Sequence, residues 1–283
     1  MRLFVTGSNG YLGRNFIKKA IKKNYKIFAV TRKKNNKKIK NVKWLVGSID
    51  KKWRELGASD VLVHFATVGA YNKFTNLEET FDYNVTRSTK LLLNSIKFKC
   101  TKWIIISTNK EKKIERLMKS KKVLSINNNQ THFNYALTKK IFSDICINLS
   151  KAFKVKCRII RLFHVYGKDE AKNRLWPLLI NHSINNKDLK MTSGQQTYDF
   201  NYIDDVVDGL IKCLDFKIKN RKFPQEWDLA SGKSMSVRQF ANRIWKKNKS
   251  KGKIFFSKIK NFDKENYLAD KKKLWKINFK NLT

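Results

Sequence analysis

Two residues into the chain an apolar run, RLFVT (Arg2 to Thr6), breaks directly into GSNGYLG, and the next stretch, RNFIKKAIKK, is amphipathic. Glycines fall at positions 7, 10 and 13, between a strand-like and a helix-like segment. Few structures suit that arrangement. A tight turn, a close approach of backbone to a pyrophosphate, and close packing of helix on strand each call for a residue without Cβ, while the first helical turn offers unpaired N–H groups to phosphate oxygens. The segment predicts the opening βα unit of a dinucleotide-binding sheet, with Gly7, Asn9, Gly10, Tyr11, Leu12 and Gly13 at the cofactor.

The rest of the first half keeps the same alternation. KIFAVT (Lys26 to Thr31), VKWLV (Val42 to Val46), VLVHFA (Val61 to Ala66), KWIIIS (Lys102 to Ser107) and CRIIRLF (Cys157 to Phe163) are short, β-branched and nearly continuous, as strands covered on both faces must be. Helices are expected near Tyr11 to Lys23, Glu79 to Lys97 and Tyr135 to Phe153. The last carries Ile141, Phe142, Ile145, Cys146, Leu149 and Phe153 at helical spacing. Strands alternating with helices make an α/β fold with a doubly wound parallel sheet of the Rossmann kind. After Gly167 the alternation fades. Trp176 and Pro177 open one further helix and VRQFANRIWKK (Val237 to Lys247) forms another. The expected division is a dinucleotide-binding domain over residues 1–166 and a smaller, mainly substrate-binding C-terminal lobe over 167–283, with some chain returning to the sheet. The charged stretch from Asn109 to Gln130 reads as a loop.

Charge has to be weighed against this pattern. The 283 residues carry 63 Lys and Arg against 22 Asp and Glu, a net +41, a field that attracts polyanions. The lysines run from end to end rather than gathering in a patch with interleaved aromatics, so nucleic-acid binding is not expected as the primary function. Hydrophobic residues still make up 41% of the chain, enough to bury a core. Four scattered cysteines and four histidines give no metal-ligand spacing and suggest a reducing compartment. A first strand at residue 2 leaves no room for a secretion leader, and no apolar run is long enough to cross a bilayer, so the chain is expected to be cytoplasmic.

At the end of the second strand an acidic residue would hold the adenosine ribose and a basic one would accept a 2′-phosphate. Thr31 and Arg32 stand there, which favours NADP(H) over NAD(H). Tyr135 and Lys139 lie four apart on a helix and so share a face. An ammonium there can lower the phenol's pKa and hold the nicotinamide ribose, leaving Tyr135 to exchange a proton with a carbonyl oxygen. Tyr267 also has a lysine, Lys271, four residues on. Position favours Tyr135, which comes after the fifth strand. That strand ends in Ser107 and Thr108, at the edge where ligands of open α/β sheets bind.

TGSNGYLG, VHFAT, NVT at Asn84 to Thr86, IIIST, YALTK, RLFHVYG and TSGQQTYDFNYIDDV together resemble the ordered landmarks of the extended short-chain dehydrogenase/reductase family, of the NAD-dependent epimerase/dehydratase type. The resemblance spans residues 1 to about 240. It implies a catalytic set of Thr108, Tyr135 and Lys139, and a homodimer formed through the helices near Asn84 and Tyr135. It further implies cofactor contacts at Ser48, Ile49, Ala66, Thr67, Asn84, Ser107 and Phe163. Substrate contacts are implied at Val68, His164, Asn173, Arg174, Leu175, Tyr198 and Lys260, and no metal. The stretch from HVYG to NYIDD is similar to the reductases that make CDP-paratose and CDP-abequose from a 4-keto sugar.

Departures from the family pattern narrow the reaction. Asn109 and Lys110 stand where family dehydratases carry acidic residues, which argues against dehydration. Thr31 replaces the acidic residue of family epimerases. Ser48 stands where an acid is expected after Gly47, Tyr198 where a diphosphate-binding arginine is expected, and His164 where most members have asparagine. Lys260 or Arg174 could supply the missing positive charge. The expectation is NADPH reduction of a nucleoside-diphosphate 4-keto-6-deoxy sugar for surface-polysaccharide synthesis. Two rivals stay open: an epimerase with tightly bound NAD, and a non-catalytic protein that binds a dinucleotide or a polyanion.

Overall fold

The apolar segments of the first half form strands in one sheet. They are β1 (Arg2–Thr6), β2 (Lys26–Thr31), β3 (Val42–Val46), β4 (Val61–His64), β5 (Lys102–Thr108) and β6 (Lys156–Leu162). Between them run α1 (Tyr11–Lys22), α2 (Leu77–Phe81), α3 (Ser88–Lys97), α4 (Glu111–Lys119) and α5 (Thr131–Ala152). The structure is a computed structural model that describes residues 1–33, 38–70, 76–120, 131–218, 222–258 and 268–277.

Further along come β7 (His164–Tyr166), α6 (Leu175–Ile184), β8 (Leu189–Met191), β9 (Thr197–Tyr198), β10 (Phe200–Tyr202) and α7 (Ile203–Cys213). The last elements are β11 (Gln225–Ala230), β12 (Met235–Ser236), α8 (Val237–Lys247), β13 (Ile254–Phe256) and β14 (Leu274–Lys276). The main sheet has eight strands in the order β14-β11-β6-β5-β4-β1-β2-β3. The pairings of β1 with β2 and β4, of β2 with β3 and of β4 with β5 are all parallel. From β1 the chain winds outward through β2 and β3, then returns to β4 and winds the other way. A crevice must therefore open beyond the carboxyl ends of β1 and β4, where the order reverses. Register fixes its rim: Thr6 pairs with His64 and His64 with Ile105. The residues just after each of these emerge together.

The chain divides into two compact units, Met1–Arg161 with Val207–Trp227, and Leu162–Val206 with Asp228–Thr283. The first is built on a core that includes Phe4, Val30, Leu62, Trp103, Ile105, Phe142 and Cys146. The second gathers Tyr166, Phe200, Phe240 and Trp245, with the Phe200 and Phe240 rings stacked at 4.0 Å. Among the described residues, no helix is long and apolar enough to cross a membrane.

Two segments differ from the sequence reading. Residues Glu111–Lys119 are helical, not loop. Glu, Lys, Arg, Met and Leu are all good helix formers, and Ile114 supplies a buried anchor; the charge density concealed a short amphipathic helix. Residues 121–130 lie outside the described ones. The helix expected over Glu79 to Lys97 is broken into α2 and α3 by a wider π-helical segment, Asp82–Arg87, which buries Asn84. Helix α5 begins at Thr131, so Tyr135 stands one turn inside it.

Candidate functional site

The turn after β1 has the shape its glycines require. Gly7 has φ +66°, and a Cβ on it would lie 2.7 Å from the Ala66 nitrogen and 2.8 Å from the Phe65 carbonyl carbon. The Gly10 N–H donates to the Gly7 carbonyl at 2.9 Å. Gly13 sits against the Gly7 carbonyl oxygen, with no space for a side chain. Gly10 caps α1 without any side-chain hydrogen bond, and the first turn, with Tyr11 and Leu12, holds no acid; Lys19 and Lys22 occupy the last turn. An N-terminus built this way attracts an anion. The residues present therefore fit a dinucleotide's pyrophosphate.

At the end of β2 the Thr31 hydroxyl is held in place. It accepts from Asn9 Nδ2 at 2.6 Å and donates to the Lys33 carbonyl at 3.0 Å. Beside it the Arg32 guanidinium lies 5.7 Å from the centre of the Tyr83 ring, and Arg87 lies 5.9 Å from the same ring. Arg87 is also paired with Asp82 at 2.7 Å. After β3, the Ser48 hydroxyl donates to Asp50. Partial burial works against the Asp50 charge, yet the Ser48 bond and the Arg87 and Lys90 charges outweigh it and hold the carboxyl below its usual range. Ile49 is buried between the two. Sequence reasoning missed Tyr83, Arg87 and Asp50. Asp50, two residues beyond the serine where an acid was expected, was the one visible signal.

The loop after β4 is fastened from below by Asn84. Its Oδ1 accepts from the Thr67 hydroxyl at 3.0 Å and the Val68 N–H at 2.9 Å, while its Nδ2 donates to the Val68 carbonyl at 3.0 Å and to Thr138 Oγ1 at 3.1 Å. Asn84 thus spends its amide on the protein and ties the loop to α5. The Ala66 N–H donates to Thr6 Oγ1 at 3.3 Å, and that hydroxyl meets His64 Nδ1 at 2.8 Å. His64 Nε2 lies 3.1 Å from Ser88 Oγ. Burial and then the Lys139 charge push the His64 pKa down to about 3, so its ring is neutral.

Strand β5 and helix α5 bring the expected catalytic residues to one edge. Lys139 is fully buried, and its ammonium donates to the Ile106 carbonyl at 2.6 Å. Of its three N–H donors that is the single one with a hydrogen bond among the described residues. Burial lowers its pKa and the Glu111 charge opposes the fall. Tyr135, half-buried one turn earlier, lies beside the loop after β4: a Cβ on Gly69 would stand 3.5 Å from the Tyr135 Cβ. Thr108 Oγ1 accepts from the Lys110 N–H at 3.3 Å and reaches Asn109 Oδ1 at 3.4 Å. The Ser107 hydroxyl turns the other way and donates to buried Glu111. A tyrosine one helical turn from a buried ammonium, on the helix that flanks the carboxyl edge of β5, is the arrangement that can move a proton to or from a ligand oxygen.

The other expected residues lie in the second unit. His164, half-buried at the start of β7, packs its ring 4.8 Å from Phe200 and 5.2 Å from Tyr198. Its N–H donates to the Asp199 carbonyl at 3.1 Å. Phe163 is buried with Ala230, Ala269 and Leu274. Arg174 caps α6 and meets Glu170 at 3.4 Å, Leu175 packs on the aromatic cluster, and Asn173 is exposed. Lys260 lies outside the described residues.

The NAD-dependent epimerase/dehydratase family model matches residues 3–224. CDP-abequose synthase of Salmonella muenchen is 27% identical over 272 residues, covering 93% of this chain and 86% of that protein. The crystal structure of UDP-glucose 4-epimerase from Thermotoga maritima with UDP-glucose superposes with a TM-score of 0.76 at 17% identity, over 95% of this chain and 90% of that one. UDP-glucuronic acid 4-epimerase from Bacillus cereus, in complex with UDP-glucuronic acid and NAD, gives 0.71 at 20% identity, over 90% and 86%.

Proposed function

Because the chain belongs to the NAD-dependent epimerase/dehydratase family, we propose that it reduces a nucleoside-diphosphate 4-keto-6-deoxy sugar with NADPH. The observation that carries the choice of reaction is the end of β2. The strand ends in Thr31 where a carboxylate would hold a ribose 2′-hydroxyl; Thr31 is occupied by Asn9 and Lys33, and the Arg32 guanidinium lies by Tyr83, as does that of Arg87, which is paired with Asp82. An arginine at that place suits a 2′-phosphate, and a phosphorylated coenzyme suits net reduction. The likeness to CDP-abequose synthase over most of both chains supports the same choice.

In this reading NADPH, when bound, supplies a hydride to C4. Gly7, Gly10 and Gly13 let the backbone meet the pyrophosphate. Thr108 offers its hydroxyl to the C4 carbonyl oxygen, and Tyr135 delivers a proton to that oxygen as it becomes the alkoxide. Lys139 holds the nicotinamide ribose with its unspent N–H groups and lowers the Tyr135 pKa. His164, Asn173, Arg174, Leu175 and Tyr198 are the substrate contacts this reading takes from the family resemblance. The enzyme works as a cytoplasmic homodimer through the helices that carry Asn84 and Tyr135; Phe81 and Leu93, both exposed on α2 and α3, fit such a contact. Its product serves surface-polysaccharide synthesis.

The test is direct. Purified protein with NADPH and CDP- or dTDP-4-keto-6-deoxyglucose loses the absorbance of the reduced nicotinamide, and Tyr135→Phe abolishes the loss. Protein that carries tightly bound NAD and turns over a nucleotide sugar without added coenzyme is an epimerase instead, and the reductase reading is then wrong.

A further inference from the structure

We propose that Glu111 is a positioning residue for the catalytic set, holding Lys139 and Ser107 in their working state from beneath the site; the inference rests on Lys139 being the residue that holds the nicotinamide ribose. Glu111 opens α4 three residues after Thr108, and its side chain is wholly buried. A carboxylate in that position is costly unless every oxygen is paired, and this one is. Oε1 accepts from the Ser107 hydroxyl and from Ser143 Oγ at 2.6 Å, and Oε2 accepts from Arg161 Nε at 2.9 Å. It has no exposed edge with which to touch a substrate, so it acts through its neighbours.

Those neighbours are the catalytic elements. Ser107 adjoins Thr108 on β5. Ser143 lies one turn beyond Lys139 on the same face of α5. The Lys139 ammonium rests on the carbonyl of Ile106, next to Ser107. The other ionisable groups around this spot cannot replace Glu111. His64 on β4 is neutral. Burial drives the Cys146 thiol on α5 well above its usual range, so it carries no charge near neutral pH. Arg161 on β6 is itself a cation. Glu226 on β11 and Glu115 on α4 both meet Arg161 Nη2, the latter at 3.4 Å. Burial lowers the Lys139 pKa, and the Glu111 charge works in the opposite direction. Burial also raises the Glu111 carboxyl, against Arg161 and the two hydroxyls. The three donors aimed at it, one of them the Arg161 cation, favour its charged form.

The experiment compares wild type, Glu111→Gln and a relocated carboxylate, Glu111→Ala with Ser143→Glu, which places an acid where the Ser143 hydroxyl now meets Glu111. In protein labelled with 15N-lysine, without coenzyme or sugar, the buried Lys139 ammonium is tracked through a pH titration. NADPH affinity is then measured against pH by nicotinamide fluorescence. Removing the charge lowers the Lys139 midpoint by about one pH unit or more, since one pH unit is the effect of a single charge about 12 Å away at an effective dielectric near 20. Tight NADPH binding is lost at correspondingly lower pH, and the relocated carboxylate returns both toward wild type. An unchanged midpoint in folded Glu111→Gln overturns the proposal. If that variant does not fold, wild type still decides, because a Lys139 already neutral at pH 7 overturns it as well. Wild type that fails to oxidise NADPH with any keto sugar sinks the proposed reaction, and the titration then judges Glu111 separately.

Discussion

Alanine at Gly13 and at Gly10 should damage the protein in different ways. A Cβ on Gly13 would enter the envelope of the Gly7 carbonyl oxygen and stand 2.9 Å from its carbon and 3.1 Å from Ser8 Cα. All of these are backbone atoms, and carbon contacts become comfortable only near about 3.5 Å, so the turn has to retreat by roughly an ångström. Overpacking of that kind costs about 1–3 kcal/mol, a melting-temperature loss of roughly 3–10 °C for a chain of this size. A displaced turn also misplaces the pyrophosphate seat, which weakens NADPH by about a hundredfold. At Gly10 the single close contact is the Gly7 carbonyl oxygen at 3.1 Å, and φ is −70°, which alanine adopts freely. Gly10→Ala should therefore melt within about 3 °C of wild type, as expected for a lost N-cap glycine. Its methyl would still stand where phosphate approaches, and affinity falls as far as in Gly13→Ala. Circular-dichroism melting and fluorescence titration with NADPH measure the two effects. Wild-type stability and affinity in Gly13→Ala would refute the packing argument, and wild-type affinity in Gly10→Ala would refute the placing of the pyrophosphate.

Replacing Thr31 by Asp together with Arg32 by Ala should invert coenzyme choice. The NADPH/NADH ratio of kcat/KM is expected to fall by about 10–100-fold, the worth of a charged hydrogen bond, and an unchanged ratio would remove Arg32 from the 2′-phosphate site. Asn84→Ala takes the partner from the Val68 N–H and one hydrogen bond each from the Val68 carbonyl and the Thr67 and Thr138 hydroxyls; about 2–4 kcal/mol should be lost, visible as a lower melting temperature and weaker NADPH binding, and equal melting would show that the clamp is idle. His64 gives a pH prediction. The unfolded chain takes up its proton near 6.5, whereas the folded chain refuses it until about 3. Stability from this group is thus complete above 6.5 and falls by about 1.4 kcal/mol per pH unit below it. By NMR the His64 ring should show no titration between pH 8 and 5, and a midpoint near 6 would contradict its burial.

The sheet was legible because strands buried on both faces leave no ambiguity: RLFVT, KIFAVT and KWIIIS have no polar face to confuse with a helix, and each lies in its predicted strand. The glycine turn was legible because its spacing encodes contacts between backbone atoms. What escaped depends on side chains meeting across sequence. Glu111 looks like any surface acid in EKKIERLMK, and nothing local shows that Ser107, Ser143 and Arg161 converge on it from β5, α5 and β6. Asn84 was expected at the cofactor, yet its four hydrogen-bonding positions meet the loop after β4 and Thr138, a task invisible without the π-helical segment that turns it inward. Tyr83 became informative only once Arg32 and Arg87 were both found beside its ring.

The placing of the scarce acids bears on mechanism. With 22 Asp and Glu among 63 Lys and Arg, carboxylates cannot be set beside every buried cation. Arg158, on the same strand as Arg161, is buried by means of oxygens: its guanidinium donates to the carbonyls of Cys213, Asp215 and Ile218 and to Gln225 Oε1, at 2.6–2.9 Å. Carbonyl and amide oxygens carry these donors, with the Asp215 charge also acting on the guanidinium. At Arg161, three residues on, Glu111, Glu115 and Glu226 converge instead. A carbonyl cage satisfies donors but adds no net charge, so it could not offset the desolvation of a second cation nearby. Lys139 is that second cation, fully buried with the Ile106 carbonyl as its partner. Of the three acids at Arg161, Glu111 is the one whose charge also acts on Lys139, so a single carboxylate answers to both buried cations.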